Sequence, residues 1–209
     1  MKLMNPNAIL LTCCLITLFS CKQPGPNKQI DEGNVKGEIY HSNEIGWSIK
    51  IPSGWTIISR DETEKRDKLG SDAFKKSSGI EVDAKALKHL ISFRKDQTNF
   101  FFSSAEPFKE EYPGEYKKNN ITTDSIIYKT VKDQGIRMDT ASGKETIQGL
   151  DFNTFSMIIY GTNGKEVARQ IMYSKLMNGF DFSVVIVYNN EKDKILLLNN
   201  WKESHFAKK

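Results

Sequence analysis

Three cysteines, three histidines and the Gly143-Lys144 pair are residues of this 209-residue chain whose chemistry can be tested from spacing alone. Cys13, Cys14 and Cys21 all fall at or before position 21. No thiol remains downstream to ligate a metal or close a disulfide, so a domain that follows is held by core packing alone. His41, His89 and His205 sit in separate stretches, and no His-x-x-His, His-Glu-x-x-His or Cys-x-x-Cys spacing joins them. A zinc site therefore has no support, and each reads as a surface or half-buried residue. Thr140 to Thr146 (TASGKET) has a Gly-Lys pair without the glycine loop that would turn backbone N–H groups toward a phosphate, so it reads as a hairpin. No Gly-x-Ser-x-Gly elbow presents a serine nucleophile. Asp61, Glu62 and Glu64 fall at an expected helix start, where they complement the helix dipole. No catalytic residue, metal ligand or cofactor site emerges, and no enzyme activity is expected.

Cys21 is the residue with a distinctive setting. Lys2 gives a cationic start, and Ala8 to Phe19 (AILLTCCLITLF) is apolar and uncharged. As a helix that run rises about 18 Å, short of the roughly 20 residues that cross a bilayer, and it reads as a secretory signal peptide over residues 1–20. Leu18-Phe19-Ser20-Cys21 resembles the bacterial lipobox: an aliphatic residue, then a small one before the cysteine. That resemblance implies cleavage before Cys21, a thioether-linked diacylglycerol on its sulfur and an acyl chain on its nitrogen. At about 0.8 kcal/mol per buried methylene, such chains hold a protein on a membrane almost permanently. Lys22 and Gln23 follow, so no Asp sits where it would retain the protein at an inner membrane. The outer membrane's periplasmic leaflet is the expected location, with surface display as the alternative.

Residues 21–36 are rich in Pro, Gly, Lys, Asn and Gln, too polar to offset their ordering entropy, and read as a lipidated tether reaching roughly 20 Å. Residues 37–209 suit one domain large enough to be stable without staples. The formal charge is +4, from 30 basic and 26 acidic residues. Lys and Arg are interleaved with acids, so nucleic acid is not an expected partner.

The clearest structural signal runs from Leu150 to Tyr188. Asn163-Gly164 and Asn178-Gly179 each separate apolar runs, and Asn-Gly accepts the two positive φ angles of a type I′ hairpin. Three antiparallel strands are expected near 150–160, 166–176 and 180–188. The first and last are apolar on both faces, which calls for cover on both sides. Asn190 and Asp193 resemble a capping box ahead of a helix to about Ser204. Between Pro113 and Gly135 a helix is expected, with Tyr116, Ile121, Ile127, Tyr128 and Val131 on its apolar side and Gly135 as its left-handed stop. A charged helix is expected from Asp61 to Lys76, with Leu69, Ala73 and Phe74 as its stripe. Strands are expected at Gly46–Ile51, Trp55–Ile58, Leu90–Phe93 and Asn99–Ser103, with a strand or hairpin near 144–148. Phe100-Phe101-Phe102, Trp47 and Trp55 read as core.

In that order of elements, Gly46 to Trp55 (GWSIKIPSGW) is similar to the opening strand-turn-strand of PsbP-like domains. Trp201 to Phe206 (WKESHF) is similar to their closing helix, with His205 between the usual Ser and Phe. The resemblance implies an α+β fold, a three-layer α/β/α sandwich around a central, mainly antiparallel sheet. Members of that family bind larger partners, and the whole chain resembles Bacteroidetes envelope lipoproteins of this type. Asp124 to Ile126 (DSI) and Asp139 to Ala141 (DTA) resemble the short O-glycan acceptor motif of that phylum. The expected function is a membrane-anchored, monomeric, non-catalytic binding or accessory module for an envelope protein or complex. The alternative is a carrier of a lipid or small apolar ligand in a pocket between sheet and helices.

Overall fold

The two Asn-Gly pairs do mark a meander, and it lies at the centre of a seven-stranded antiparallel sheet. The structure, a computed structural model, describes residues 33–78 and 87–207. In chain order the strands are β1 (Asn34–Lys36), β2 (Ile39–Ser42), β3 (Trp47–Lys50), β4 (Thr56–Ile57), β5 (Lys88–Arg94) and β6 (Phe100–Pro107), then β7 (Arg137–Ile147), β8 (Leu150–Tyr160), β9 (Glu166–Met177), β10 (Phe180–Tyr188) and β11 (His205–Phe206). The helices are α1 (Arg60–Ser78), α2 (Glu115–Asp133) and α3 (Glu191–Lys202). The large sheet runs β4-β5-β6-β10-β9-β8-β7, and a second sheet runs β1-β2-β3-β11. Cys21, the leader and the tether as far as residue 32 lie outside the described residues. The tether's last residues, Asn34–Lys36, form β1.

The turns follow from residue conformations. Asn178 and Gly179 both have positive φ, 55° and 82°, as a type I′ turn requires. Asn178 also donates from its side chain to the carbonyl of Ile45 at 2.9 Å, tying the turn to the β2–β3 loop. Asn163-Gly164 is different: only Gly164 has positive φ, and its N–H bonds the Gly161 carbonyl at 2.9 Å. That is a type I turn followed by a left-handed glycine, and the extra length is absorbed where the β8–β9 register slips at Ile159/Tyr160. The strand or hairpin expected near 144–148 is the end of the long strand β7 and the start of the turn into β8, while Thr140–Thr146, read as a hairpin, is strand throughout. That turn is Gln148-Gly149, both with positive φ.

One face of the large sheet is covered by α3 and the small sheet, the other by α1 and α2. This is the expected three-layer arrangement, with the small sheet sharing the third layer. The α3 side is dry. Trp47, Trp201, Tyr173, Phe93, Phe101, Phe152 and Phe182 are all almost fully buried there. Phe93 and Phe101 stack at 4.8 Å between centroids, and Trp201 lies 5.3 Å from Phe152 and 6.1 Å from Trp47. Each indole removes roughly 150–250 Å² from water, about 4–6 kcal/mol of gross transfer energy. That outweighs the cost of about 1–3 kcal/mol for the unpaired N–H that Trp47 and Trp201 each carry among the described residues. A bulge in β5 between His89 and Ser92 turns the adjacent Leu90 and Ile91 into this same core. The Ser103 hydroxyl repairs it, accepting from Ile91 N–H at 3.0 Å and donating to its carbonyl at 2.8 Å.

Helix α3 begins as read: the Asn190 side chain accepts from Asp193 N–H at 2.9 Å and donates to its carboxylate at 2.7 Å. Gly135, φ 74°, follows the C-terminus of α2. The apolar sides assigned to the other helices need correction. In α2 the inward stripe is 116, 120, 123, 127 and 131; Ile121 and Tyr128 are one position off it and are exposed. In α1, Leu69 is 53% exposed, while Thr63 and Arg66 are buried, so the helix docks through polar groups. The side chains of Ala73 and Phe74 lie outside the described residues. No described helix is long and apolar enough to cross a membrane.

Candidate functional site

The layer between the large sheet and α2 changes character along the strands. Toward one end, Phe100, Phe102, Val185, Val187, Phe155 and Met172 pack under Ile127 and Val131. Toward the other, the same face of β6, β9 and β10 carries Ser104, Glu106, Ser174, Asp181 and Ser183, and α2 meets them with Asn119, Asn120 and Thr123. A polar cleft of about 40 Å³ lies there. Asp181 and Glu106 are direct cross-strand partners, as are Ser183 and Ser104.

The cleft is built by the first turns of α2. Gly114 precedes the helix with φ 85° and has no side chain to cap it. The Glu110 carboxylate takes that role, accepting from Tyr116 N–H at 2.9 Å. Tyr116 then points its hydroxyl into the sheet and donates to Asp181 at 2.8 Å. One turn on, Asn120 donates to the Tyr116 carbonyl at 2.8 Å and accepts from the Ser174 hydroxyl at 2.6 Å. Burial pushes the Asp181 carboxyl up to about 6, the Tyr116 bond offsetting part of the rise. Burial, with Asp181 alongside, pushes the Tyr116 phenol far above its ordinary value.

A carboxyl that titrates near neutrality is in the range of a general acid or base. Space decides what it can serve. One water needs about 10–15 Å³, so the cleft admits a few waters, whereas a drug-sized ligand needs roughly 300 Å³ or more. The Tyr116–Asp181–Asn120–Ser174 constellation therefore fastens α2 to the sheet and exposes a titrating carboxyl to small solutes. A second polar constellation joins the β5–β6 turn to α3. There Asp96 accepts from Thr98 and Asn99, and Lys95 bonds both oxygens of Asp193 at 3.0 and 2.8 Å. Burial raises both carboxyls, but these bonds outweigh it and hold them below their ordinary values. With its acids engaged, this cluster locks a turn.

The residues singled out in the sequence are distributed as follows. Cys21 lies outside the described residues. His41 and His205 are exposed and flank Ser48 in adjacent strands of the small sheet. His89 is half-buried and pairs through Nε2 with Asp67 of α1. No described group of three His, Cys, Asp or Glu could hold a metal. Phe100, Phe101, Phe102 and Trp47 are core, and Trp55 is half-buried against Phe93. Asp124, whose carboxyl burial pushes up to about 6, accepts from Ser142 of β7 at 3.1 Å; Asp139 accepts from Tyr160 at 2.6 Å. The cleft residues were not singled out, because they come from four elements. A signal existed: in Gly179 to Tyr188 (GFDFSVVIVY), Asp181 and Ser183 are the polar interruptions on one face of an otherwise apolar strand.

No protein-family model matches the chain, and no curated protein is similar to it in sequence. Among solved structures it is similar to a cyanobacterial PsbP from Synechocystis sp. PCC 6803, determined in solution. The match has 12% identity and a TM-score of 0.52, and covers 88% of this chain and 100% of that one. The chain therefore has the PsbP-like α+β fold.

Proposed function

We propose that the chain is a bacterial envelope lipoprotein, acylated at Cys21, whose PsbP-like domain is a non-catalytic binding or accessory module for an envelope protein or complex. The observation that carries this reading is the fold match across most of the chain; the α2 cleft, at about 40 Å³, is too small for a sizeable substrate, and the larger recess beside α3, at about 310 Å³, is open and polar. A carrier would need an apolar cavity; the α2 cleft is polar, and the recess beside α3 is walled by Glu166, Arg169, Glu191 and Lys194. The anchor is Cys21, with a dozen residues between it and β1. The expected place is the periplasmic leaflet of the outer membrane, with the domain monomeric and no nucleic acid bound.

Metabolic labelling with an alkynyl fatty acid tests the anchor. Wild type is labelled and sediments with membranes; Cys21→Ala is unlabelled. Equal label in both sinks the lipoprotein reading. In-membrane cross-linking of the tagged full chain tests the partner, which is recovered as one reproducible adduct; a ladder of non-specific products, or none, counts against it.

A further inference from the structure

The four sheet edges of this domain are unequal. β1, β4 and β11, which end the sheets on three sides, are three, two and two residues long. Very short edge strands are a common way to keep an edge from pairing with other chains. The fourth edge, β7, is eleven residues long and pairs with β8 through an unbroken register from Arg137↔Tyr160 to Ile147↔Leu150. It contains no proline and no bulge, and its residues from Asp139 to Lys144 are all exposed.

Its backbone directions are fixed by the turn. A two-residue type I′ loop closes on a hydrogen-bonded pair, here Ile147–Leu150, so by alternation the odd-numbered residues of β7 bond β8. The Ala141 carbonyl, turned toward β8, accordingly also accepts from the side-chain hydroxyl of Ser156, at 3.2 Å. The even-numbered residues from Met138 to Thr146 then turn their N–H and C=O groups outward, away from the sheet, with no described strand beyond them.

We propose that β7 is the docking edge of this domain and that it takes an extended segment of the partner protein as an eighth strand. The inference rests on the binding-module reading and adds the surface and the partner's conformation. A row of alternating backbone donors and acceptors is complementary to another strand and to little else. A second copy of this chain is disfavoured by charge. The antiparallel register that uses all of β7 on both sides centres on Ser142, and it sets Asp139 opposite Glu145 at both symmetric positions. Like charges directly opposite destabilise a pair. A different chain, with basic or neutral side chains opposite Asp139 and Glu145 and an acid opposite Lys144, avoids the conflict.

The test uses the full chain in its native membrane, with photo-reactive benzoylphenylalanine placed in turn at Thr140, Ser142 and Lys144, and at Lys117 on the exposed side of α2 as a control. Strand addition gives adducts from the three β7 positions that step along one foreign segment two residues at a time. In the background of Ser142→Pro, which removes an outward N–H and leaves the β8 ladder intact, the Thr140 and Lys144 adducts fall about tenfold, while Ser142→Ala stays within about twofold. Thr140→Pro, read from the Lys144 position, replaces Ser142→Pro if its melting curve shows misfolding. Adducts to a second copy, adducts scattered along the partner, or adducts indifferent to proline overturn the proposal. A partner captured only from Lys117 overturns it while leaving the binding-module reading intact; silence at the β7 positions overturns it too, and the binding-module reading is then decided by the whole-chain cross-linking.

Discussion

On one face of the large sheet Trp201 lies among six aromatic rings, of Trp47, Phe101, Phe152, Tyr173, Phe182 and Phe206, with no partner for its N–H among the described residues. On the opposite face, one residue along β10 from Phe182, Asp181 accepts a phenol hydrogen bond in a cleft of serines and asparagines. The same strands build both. The α3 side is stabilised by area, at the expense of a few orphaned donors. The α1/α2 side combines an apolar cluster under Ile127 and Val131 with polar contacts: Glu62 with Arg66 and Arg94, Asp67 with His89, Tyr116 with Asp181. Among the described residues it carries orphans of its own at Arg66 Nε and His89 Nδ1. A dry interface fixes a fold, whereas a wet one can be tuned by pH and salt, and that difference can be measured.

The largest effect belongs to the dry face. Trp201→Ala deletes a fully buried indole from a rigid aromatic cluster that cannot collapse to fill the void. It should cost about 3–5 kcal/mol in urea unfolding. A loss below about 1 kcal/mol would mean that the α3 side is not the principal core.

The next effect should have the opposite sign. The Asp181 carboxyl, ordinarily near 3.8, is pushed up to about 6 in the folded protein. Between those values the native state binds this proton more tightly than the unfolded chain, so the contribution of Asp181 to stability rises as pH falls from 7 to 4 and levels off below. That is opposite in sign to the contribution of the carboxyls held low, such as Asp96 and Asp193. Asp181→Asn keeps an acceptor for Tyr116 and removes the buried charge. The variant should gain about 2 kcal/mol at pH 7.5, discounted for the residue's partial solvent contact, and match wild type near pH 4. Paired denaturation curves at the two pH values check it; a destabilised variant at pH 7.5 would show that the ionised carboxylate is itself required.

Smaller again is the seam under α1. Glu62 accepts from both Arg66 and Arg94, and the Arg66 guanidinium also lies 5.8 Å from the Phe100 ring. Glu62→Gln leaves two guanidiniums facing each other without an anion. The expected cost is about 1 kcal/mol, larger at low salt than at high, because Glu62 and Arg94 are only partly buried. A salt-independent loss would indicate packing in place of charge.

What the sequence disclosed follows the same division. The dry side was readable because burial of apolar residues leaves a local trace: the apolar runs of β8 and β10, Asn190 and Asp193 at the start of α3, and the Trp and Phe positions of β3 and β6. The wet side was not, because its contacts join positions far apart in the chain, such as Tyr116 with Asp181 and Asp67 with His89. The small sheet escaped too, since β1, β2 and β11 are two to four residues long and only two side chains of β2 are buried. The Gln148-Gly149 turn was missed because Gln, unlike Asn, has no special tolerance for positive φ. The cleft left one legible mark, the polar interruption at Asp181 and Ser183.

Of the residues assigned to the apolar sides of α1 and α2, Leu69, Ile121 and Tyr128 face outward while Tyr116, Ile127 and Val131 face in as assigned, and the reason gives the smallest prediction. A helix over a dry sheet shows its buried face as a hydrophobic stripe, but α2 lies half over a polar cleft. Its true inward row therefore contains Asn120 and Thr123, and hydrophobicity alone selects Ile121 and Tyr128 in their place. Ile121 is 58% exposed. Ile121→Ser should change stability by no more than about 0.5 kcal/mol, within the range of surface substitutions, because little apolar area returns to water when the side chain is cut back. A loss of about 2 kcal/mol would mean that α2 is rotated by one position, which would carry Tyr116 off Asp181 and Asn120 off Ser174 and close the cleft. The least disruptive substitution thus checks the rotation of α2 on which the polar face depends.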